Sequence, residues 1–158
     1  MFTQTDNYLT DLAYYIMYCD IINTISRYDS SVKPMRADNF FEYAVPLSSG
    51  NLASTLGFDM SRITEVITKL RLSGNKDYRY NSDGSFISYG PNTTMPTAVI
   101  VHDGHSEPVI EMLTRNFSVA YVMNKGDIDI SLQVLTSIKP DYIIYLCDEG
   151  NIDFAIRG

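Results

Sequence analysis

The residues whose types and spacing could carry out chemistry lie together in one turn, His102 to Glu107, which has the sequence HDGHSE and holds both histidines of the chain. A serine hydroxyl attacks an acyl carbon when a neighbouring imidazole takes its proton, and a carboxylate can orient that imidazole. Ser106 could therefore act as a nucleophile, with His105 or His102 as its base. The chemistry would be acyl transfer or ester hydrolysis.

The same turn also has a purely structural interpretation. Ser106 stands just before Pro108, which suits the first position of a helix, so the serine oxygen would cap that helix by accepting a backbone N–H. His105 would then be an exposed turn residue or a weak ligand contact, and Gly104 would leave backbone N–H groups near the helix start as a modest anion site. We expect this structural role rather than catalysis.

The turn connects a strand to a helix. Thr97 to Val101 is rich in β-branched side chains and is typical of a strand buried on both faces, and a helix follows from Pro108. Ligands gather at the carboxyl ends of strands in an open parallel sheet, so a ligand would bind at this turn. The carboxylates that follow strands could hold a cation or sugar hydroxyls, although solvated loop carboxylates are the plainer alternative: Asp103, Asp148 and Glu149.

Two more strands and a second helix follow the turn. Ser118 to Met123 and Asp141 to Cys147 are typical of strands, and Ile130 to Ile138 between them is predicted to be helical. Strand, helix, strand, helix, strand is the order of right-handed βαβ crossovers, so we predict an α/β fold with a parallel, flavodoxin-like sheet in a three-layer domain. Residues 96–150 form its βαβαβ portion, within a single domain over residues 1–158.

Residues 1–95 are predicted to form a helical and loop portion. A long helix spans Asp6 to Ser26 with Asp6 or Asn7 as its cap, and a second helix spans Ser61 to Leu72. Gly57 closes a short helical turn, and two short strands flank the NSDG turn as an edge hairpin. The first helix is rich in tyrosine, which predicts core packing or, alternatively, a surface that stacks sugar rings or a partner. Its apolar face is predicted to carry Leu9, Leu12, Ala13, Ile16 and Met17.

Three parallel strands make a narrow sheet. Apolar runs such as Tyr142 to Leu146 require cover on both faces and favour further neighbouring strands. We therefore expect another protein chain, or a segment missing from this chain, to complete the sheet, unless the first 95 residues do so in an atypical way.

Composition argues against several classes of function. The formal net charge is -7 and no Lys or Arg cluster is present, which argues against nucleic acid and anionic membranes as partners. No apolar run approaches the roughly 20 residues of a membrane span, and Met1 to Asp11 has no signal-peptide pattern. Cys19 and Cys147 are isolated in apolar contexts and match no zinc spacing, so we expect no disulfide, metal or cofactor.

Five short motifs, taken in order, resemble those of the SGNH-type polysaccharide O-acetyltransferases, the alginate acetyltransferase and DHHW group. That family carries T-D-x-H-W opening a helix, a dLa-x-x-L-G segment, a strand ending in D-S-F with the nucleophilic serine, L-x-x-x-F, and k-P-D-x-v-i. The resemblance implies the carboxyl half of an SGNH-like domain, with the family's preceding region missing, which agrees with the narrow sheet. The matching stretches are Thr5 to Leu9, Asn51 to Gly57, His102 to His105, Leu113 to Phe117 and Lys139 to Ile144.

Carried over residue by residue, the resemblance argues against catalysis. Asp6 matches the family's triad aspartate, but Tyr8 stands at the histidine position and Gly104 at the serine position. Tyrosine, whose ordinary pKa is about 10, is a poor base at neutral pH, and glycine has no nucleophile. The resemblance therefore implies a non-catalytic relative that binds glycan or has a structural role, and it is compatible with a cell-envelope or secreted location.

Two alternatives stay open. One is an active polysaccharide O-acetyltransferase or acyl esterase that uses Ser106 or groups from a partner chain. The other is a purely architectural subunit of a larger assembly, with a vestigial cleft. The catalytic candidates are Asp6, Ser106 and His105, and the binding candidates are Tyr8, His102, Asp103, Gly104, Asp148 and Glu149.

Overall fold

A computed structural model describes residues 9–47, 55–57, 65–72, 77–80, 85–90, 92–104, 107–124 and 135–147 of the chain. The chain divides into two compact units. One comprises Met1–Ile21 and Pro34–Gly74, and the other comprises Ile22–Lys33 and Asn75–Gly158. A single domain over the whole chain stays a prediction.

The described elements begin with a long helix, which a short 3₁₀ helix at Ala37–Asn39 and five successive strands follow. A short helix at residues 135–138 precedes the last strand. In chain order the other elements are helix α1 (Asp11–Ser26), strands β1 (Phe40–Leu47), β2 (Glu65–Leu72), β3 (Asp77–Tyr80), β4 (Phe86–Tyr89) and β5 (Thr97–His102), helix α2 (Glu107–Thr114), and strands β6 (Val119–Asn124) and β7 (Tyr142–Leu146).

The larger sheet has five strands in the order β3-β4-β6-β5-β7. β5 pairs in parallel with β6 on one side and with β7 on the other, which confirms the predicted parallel arrangement of these three strands. β3 and β4 form an antiparallel hairpin, and β4 pairs antiparallel with β6. The predicted edge hairpin is thus present and widens the sheet by two strands. Residues 77–89 supply these two strands, so the first 95 residues widen the sheet, which was one of the alternatives expected for its narrow parallel part.

Two sets of hydrogen bonds fix the ends of neighbouring strands at the edge where β5, β6 and β7 begin. The Asp141 carboxylate accepts hydrogen bonds from the Thr97 backbone N–H at 2.7 Å and from the Thr97 hydroxyl at 2.9 Å, which aligns the starts of β5 and β7. Asp141 belongs to the K-P-D motif, so that motif has a structural role here. Gly90, just after β4, donates its N–H to the Ser118 carbonyl at 2.8 Å. A Cβ at Gly90 would lie 2.0 Å from the Phe117 carbonyl oxygen, so only glycine fits.

The sheet is buried on both faces along β5. Val99 and Val101 lie on one face with Met123, and the short helix at residues 135–138 contributes Leu135 to the same cluster. Ile100 lies on the other face, together with buried residues of β6 and on the side of α2. A strand between two helical layers has no solvated face, which explains its continuous apolar run. The predicted three-layer α/β class is confirmed.

Helix α1 begins later than predicted and buries a different face. The Thr10 hydroxyl accepts the Ala13 N–H at 3.2 Å, so Thr10 caps the helix and neither Asp6 nor Asn7 lies at its start. Leu12 and Ile16 are exposed, which makes the predicted apolar face wrong. The helix is apolar nearly all round, so its periodicity could not select a face. The buried positions are Tyr14, Tyr18, Ile22 and Ile25.

The tyrosines of α1 belong to the core. Tyr18 is fully buried and its hydroxyl accepts the Met35 N–H at 2.7 Å, while the Tyr15 hydroxyl donates to the Met35 carbonyl at 3.1 Å. Both backbone groups of Met35 are therefore satisfied by phenols, which pins the following loop. The structure favours core packing over an open sugar-stacking surface for Tyr14, Tyr15 and Tyr18.

The predicted helix from Ser61 to Leu72 is wrong, because Glu65–Leu72 is strand β2, paired antiparallel with β1. The β-branched run at residues 66–68 favours a strand, and the Asp11 carboxylate accepts the Leu70 N–H at 2.8 Å and bonds to the Lys69 ammonium at 3.1 Å. The expected helical and loop portion over residues 1–95 accordingly contains four strands, β1 to β4.

Smaller expectations can be compared directly. Gly57 has a φ of +77°, the left-handed conformation predicted for a residue that closes a helical turn. Cys19 and Cys147 are free thiols and half-buried. Among the described helices, none is long and apolar enough to cross a membrane.

Candidate functional site

The chain turns sharply where β5 ends at His102. The imidazole Nδ1 of His102 accepts a hydrogen bond from the Gly104 backbone N–H at 3.1 Å. Gly104 has a φ of +104°, which L side chains rarely adopt, yet an added Cβ would meet nothing within 4 Å. The turn therefore needs glycine for its backbone conformation and leaves open space beside it.

A pocket of about 490 Å³ opens at this end of the sheet. The β3–β4 hairpin supplies aromatic rings, β5 supplies His102, and α2 supplies two carboxylates and one apolar side chain. We call it the aromatic pocket. Its lining residues are Tyr78, Tyr80, Phe86, His102, Glu107, Ile110 and Glu111.

The rings form one connected cluster. Tyr78 and Tyr80 are two residues apart on β3 and so share one face of the sheet, and Tyr80 lies opposite Phe86 on β4. The Phe86 centroid is 5.4 Å from both tyrosine centroids, and its ring is edge-on to Tyr78 at 84°. Tyr80 is 69% exposed, so part of its ring is available to a ligand.

The carboxylates lie on the first two turns of α2. Glu107 and Glu111 are four residues apart and therefore lie on the same side of the helix. Burial and the Glu111 charge raise the pKa of Tyr78 above its ordinary value, while the Arg115 charge and a hydrogen bond with Thr114 oppose that shift. The Tyr78 phenol is thus protonated at neutral pH.

His102 is half-buried at the end of β5. Burial lowers its pKa below the ordinary value, although the negative charges of Asp103 and Glu107 act in the opposite direction. The imidazole is therefore mostly neutral at neutral pH. Because Nδ1 accepts the Gly104 N–H, the ring hydrogen is on Nε2 and makes that nitrogen a donor.

The pocket combines three kinds of contact. The Tyr80 ring offers an apolar face, Glu107 and Glu111 offer hydrogen-bond acceptors, and His102 offers a donor. This set suits a ligand that has both a flat apolar face and several hydroxyl or amine groups. In the part of the chain that the structure describes, no group of three or more His, Cys, Asp or Glu residues is arranged to hold a metal ion.

The structure places three of the predicted site residues in one turn. His102, Asp103 and Gly104 follow one another at the carboxyl end of β5, and His102 lines the aromatic pocket. The remaining candidates lie outside the described residues, so their roles stay predictions: Asp6, Tyr8, His105, Ser106, Asp148 and Glu149.

Most of the pocket was not predicted from the sequence. The signals existed: the alternating aromatic residues of β3 place Tyr78 and Tyr80 on one face, and Glu107 and Glu111 have helical spacing. They could not be assigned to a site, because only the pairing of the hairpin with β6 brings its rings to α2.

Comparison with known proteins shows similarity at the level of structure. No protein-family model matches the sequence, and no curated protein matches it. A DHHW family protein from Eubacterium siraeum has a TM-score of 0.69 at 10% identity, covering 92% of this chain and 58% of that chain. Bacillus cereus PatB1 has a TM-score of 0.68 at 11% identity, covering 96% and 63% respectively.

PatB1 has also been solved with a sulfonyl adduct, and that structure has a TM-score of 0.69 at 11% identity over 96% of this chain and 61% of PatB1. The chain spans about three fifths of the length of these matched structures. At such low identity the likeness establishes the fold. The likeness in fold to the DHHW group, predicted from five ordered motifs, is confirmed.

Proposed function

We propose that this chain is a non-catalytic, glycan-binding relative of the SGNH-type O-acetyltransferases. The observation that carries the proposal is the aromatic pocket, in which rings, carboxylates and an imidazole donor converge at the end of β5. Ligands of open α/β sheets bind at the carboxyl ends of the strands, which is where this pocket lies.

The same turn supports the absence of triad catalysis. Gly104 occupies the position of the nucleophilic serine in the motif resemblance, and its φ of +104° would be strained with any side chain. His102 is a poor candidate for the base, because its Nδ1 accepts the Gly104 N–H and its Nε2 carries the hydrogen.

Glycan binding fits the chemistry of the pocket. Sugar rings have apolar C–H faces that pack on tyrosine and phenylalanine, and their hydroxyls donate to carboxylates and accept from N–H groups. Tyr80, Glu107 and His102 provide these three contacts. The resemblance to polysaccharide O-acetyltransferases points to the same class of ligand.

A partner chain remains part of the proposal. Among the described strands, β7 is an edge with one paired neighbour, and Ile143 on it is 60% exposed. An exposed parallel edge invites a further strand, from another chain or from another segment of a longer protein.

The proposal is tested by titrating the chain with oligosaccharides, both neutral and amine-bearing, and following the chemical shifts of the pocket residues by NMR. We expect saturable shifts at Tyr80, Phe86 and Glu107, and their loss in Tyr80→Ala. The matched control is Tyr28→Ala, because Tyr28 is 85% exposed and does not line the pocket. Equal loss of binding in both variants, or binding of none of these sugars by the parent chain, would contradict the proposal.

The non-catalytic part is tested with a sulfonyl fluoride, a reagent suggested by the sulfonyl adduct of PatB1. We expect no stoichiometric mass increase and no hydrolysis of small acetyl esters above background. Ser106→Ala is the matched variant. Labelling of the parent chain that disappears in Ser106→Ala would establish the alternative, an active acyl esterase or acetyltransferase.

A further inference from the structure

We infer that the aromatic pocket recognises a sugar through a protonated amine, so that its ligand is a de-N-acetylated amino sugar rather than a neutral or acetylated one. The inference rests on the proposed glycan binding and names the class of sugar. It follows from the charges and rings that line the pocket.

The described residues that line the pocket carry negative charge. Glu107 and Glu111 are both carboxylates on the same side of α2, and none of the described lining residues is a lysine or arginine. Asp103 adds a further negative charge next to His102. Arg115 acts on Tyr78 but is not among the described lining residues, and His102, which is, is mostly neutral at neutral pH.

The rings favour the same ligand. A cation over the face of a tyrosine or phenylalanine is attracted by the negative charge of the ring face. The three rings contact one another at centroid distances of 5.4 to 6.2 Å, so a cation cannot enter between them and must lie over an outer face. Tyr80, at 69% exposed, provides such a face.

A neutral sugar would gain less from this arrangement. Its hydroxyls can donate to the two carboxylates, but each neutral hydrogen bond is weaker than one between an ammonium and a carboxylate. An acetylated amine carries no positive charge, and it would place an apolar methyl group beside the carboxylates of Glu107 and Glu111. The pocket therefore discriminates by the charge at the amine position.

The test compares three trisaccharides by calorimetry at low salt and at a pH where the free amine is protonated: chitotriose, its fully N-acetylated form, and cellotriose. We expect chitotriose to bind about tenfold more tightly than the other two, because it gains both charge-assisted contacts. Its affinity should fall about threefold or more when sodium chloride is added, since salt screens exposed charges, while the neutral sugars should change little.

Two isosteric variants identify the charges responsible. Glu107→Gln and Glu111→Gln keep the side-chain shape, and each should weaken chitotriose binding about threefold with little effect on the neutral sugars. Glu42→Gln is the matched control, because Glu42 is an exposed glutamate on β1 and does not line the pocket.

The outcomes separate this inference from the proposed function. Equal affinity for the three sugars would overturn the amine preference and leave glycan binding intact. Binding of none of them would overturn both. Chitotriose could also bind more tightly than the other sugars because of the overall negative charge of the chain. In that case Glu42→Gln would weaken its binding as much as Glu111→Gln does, and this result would also overturn the inference.

Discussion

Strand β5 and the β3–β4 hairpin belong to one sheet, yet they differ in almost every property that matters for function. Ile100 at the centre of β5 is fully buried, whereas Tyr80 on β3 is 69% exposed. β5 is parallel to both of its neighbours, and the hairpin is antiparallel and forms an edge. The parallel strands form the buried part of the sheet, while the hairpin exposes the rings on which the proposed ligand would lie.

The difference has a physical origin. A parallel strand between two helical layers must be apolar on both faces, so it has no surface to offer a ligand except at its end. An antiparallel edge strand can keep one side solvated, and its alternating side chains then place rings such as Tyr78 and Tyr80 where a ligand can reach them. His102 lies at the end of β5, where the two kinds of strand contribute to one pocket.

The largest expected effect comes from the residue that follows the hairpin. Gly90→Ala should destabilise the fold by about 4 kcal/mol or more, because its Cβ would overlap the Phe117 backbone oxygen rather than a flexible side chain. Urea unfolding followed by circular dichroism measures this loss.

The control is Gly104→Ala in the same unit, which has open space around the added Cβ and only the strain of its positive φ. We expect it to cost about 2 kcal/mol. If Gly90→Ala proved as mild as Gly104→Ala, the hairpin would not be held against the Phe117 backbone as the structure has it.

The second prediction compares one residue from each region. Ile100→Ala should cost about 3 kcal/mol, since it leaves a cavity among fully buried side chains. Tyr80→Ala should cost about 1 kcal/mol, the worth of its ring contacts with Tyr78 and Phe86. Both losses of stability are measured by the same unfolding experiment. For sugar binding we expect the reverse order, with the larger loss in Tyr80→Ala.

In that binding measurement, Tyr80→Ala should abolish the interaction and Ile100→Ala should retain it under conditions where the variant is folded. If each of the two variants lost both stability and sugar binding, the proposed difference in role between β5 and the β3–β4 hairpin would be wrong.

The smallest expected effect is the pH dependence of His102. Its pKa is lower in the folded protein than its ordinary value of 6.5, because the imidazole is partly buried. As the pH falls through about 6.5, the unfolded chain takes up this proton before the folded chain does. The free energy of unfolding should therefore decrease as the pH falls from about 6.5 to the pKa of His102 in the folded protein. Above about pH 6.5, His102 should make no pH-dependent contribution.

Unfolding titrations of the parent chain and of His102→Asn check this window, with His105→Asn as the control for the other histidine. The slope should vanish in His102→Asn and persist in His105→Asn. Asp29 has a pKa below its ordinary value of 3.8, because Ser31 donates hydrogen bonds to its carboxylate. The stability that Asp29 contributes is therefore lost only below about pH 3.8, outside the pH range in which His102 acts. The reverse result, a slope that follows His105, would contradict the burial of His102.

The sequence by itself determined the parallel part of the fold and predicted where a candidate site would lie. A continuous β-branched run, a proline that opens a helix and a glycine-containing turn are local signals, and their order along the chain predicts βαβ crossovers and a ligand position at the end of β5. The motif resemblance identified the fold because it depended on order rather than on identity at single positions.

Tertiary structure decided the rest, and the reason is that several segments had more than one locally acceptable conformation. Glu65–Leu72 has both helical and alternating patterns, and its pairing with β1 and the Asp11 carboxylate selects the strand. Helix α1 is apolar nearly all round, so only the packing of Tyr14 and Tyr18 defines its buried face. The aromatic pocket exists because a hairpin distant in sequence pairs with β6, a contact that no local pattern encodes.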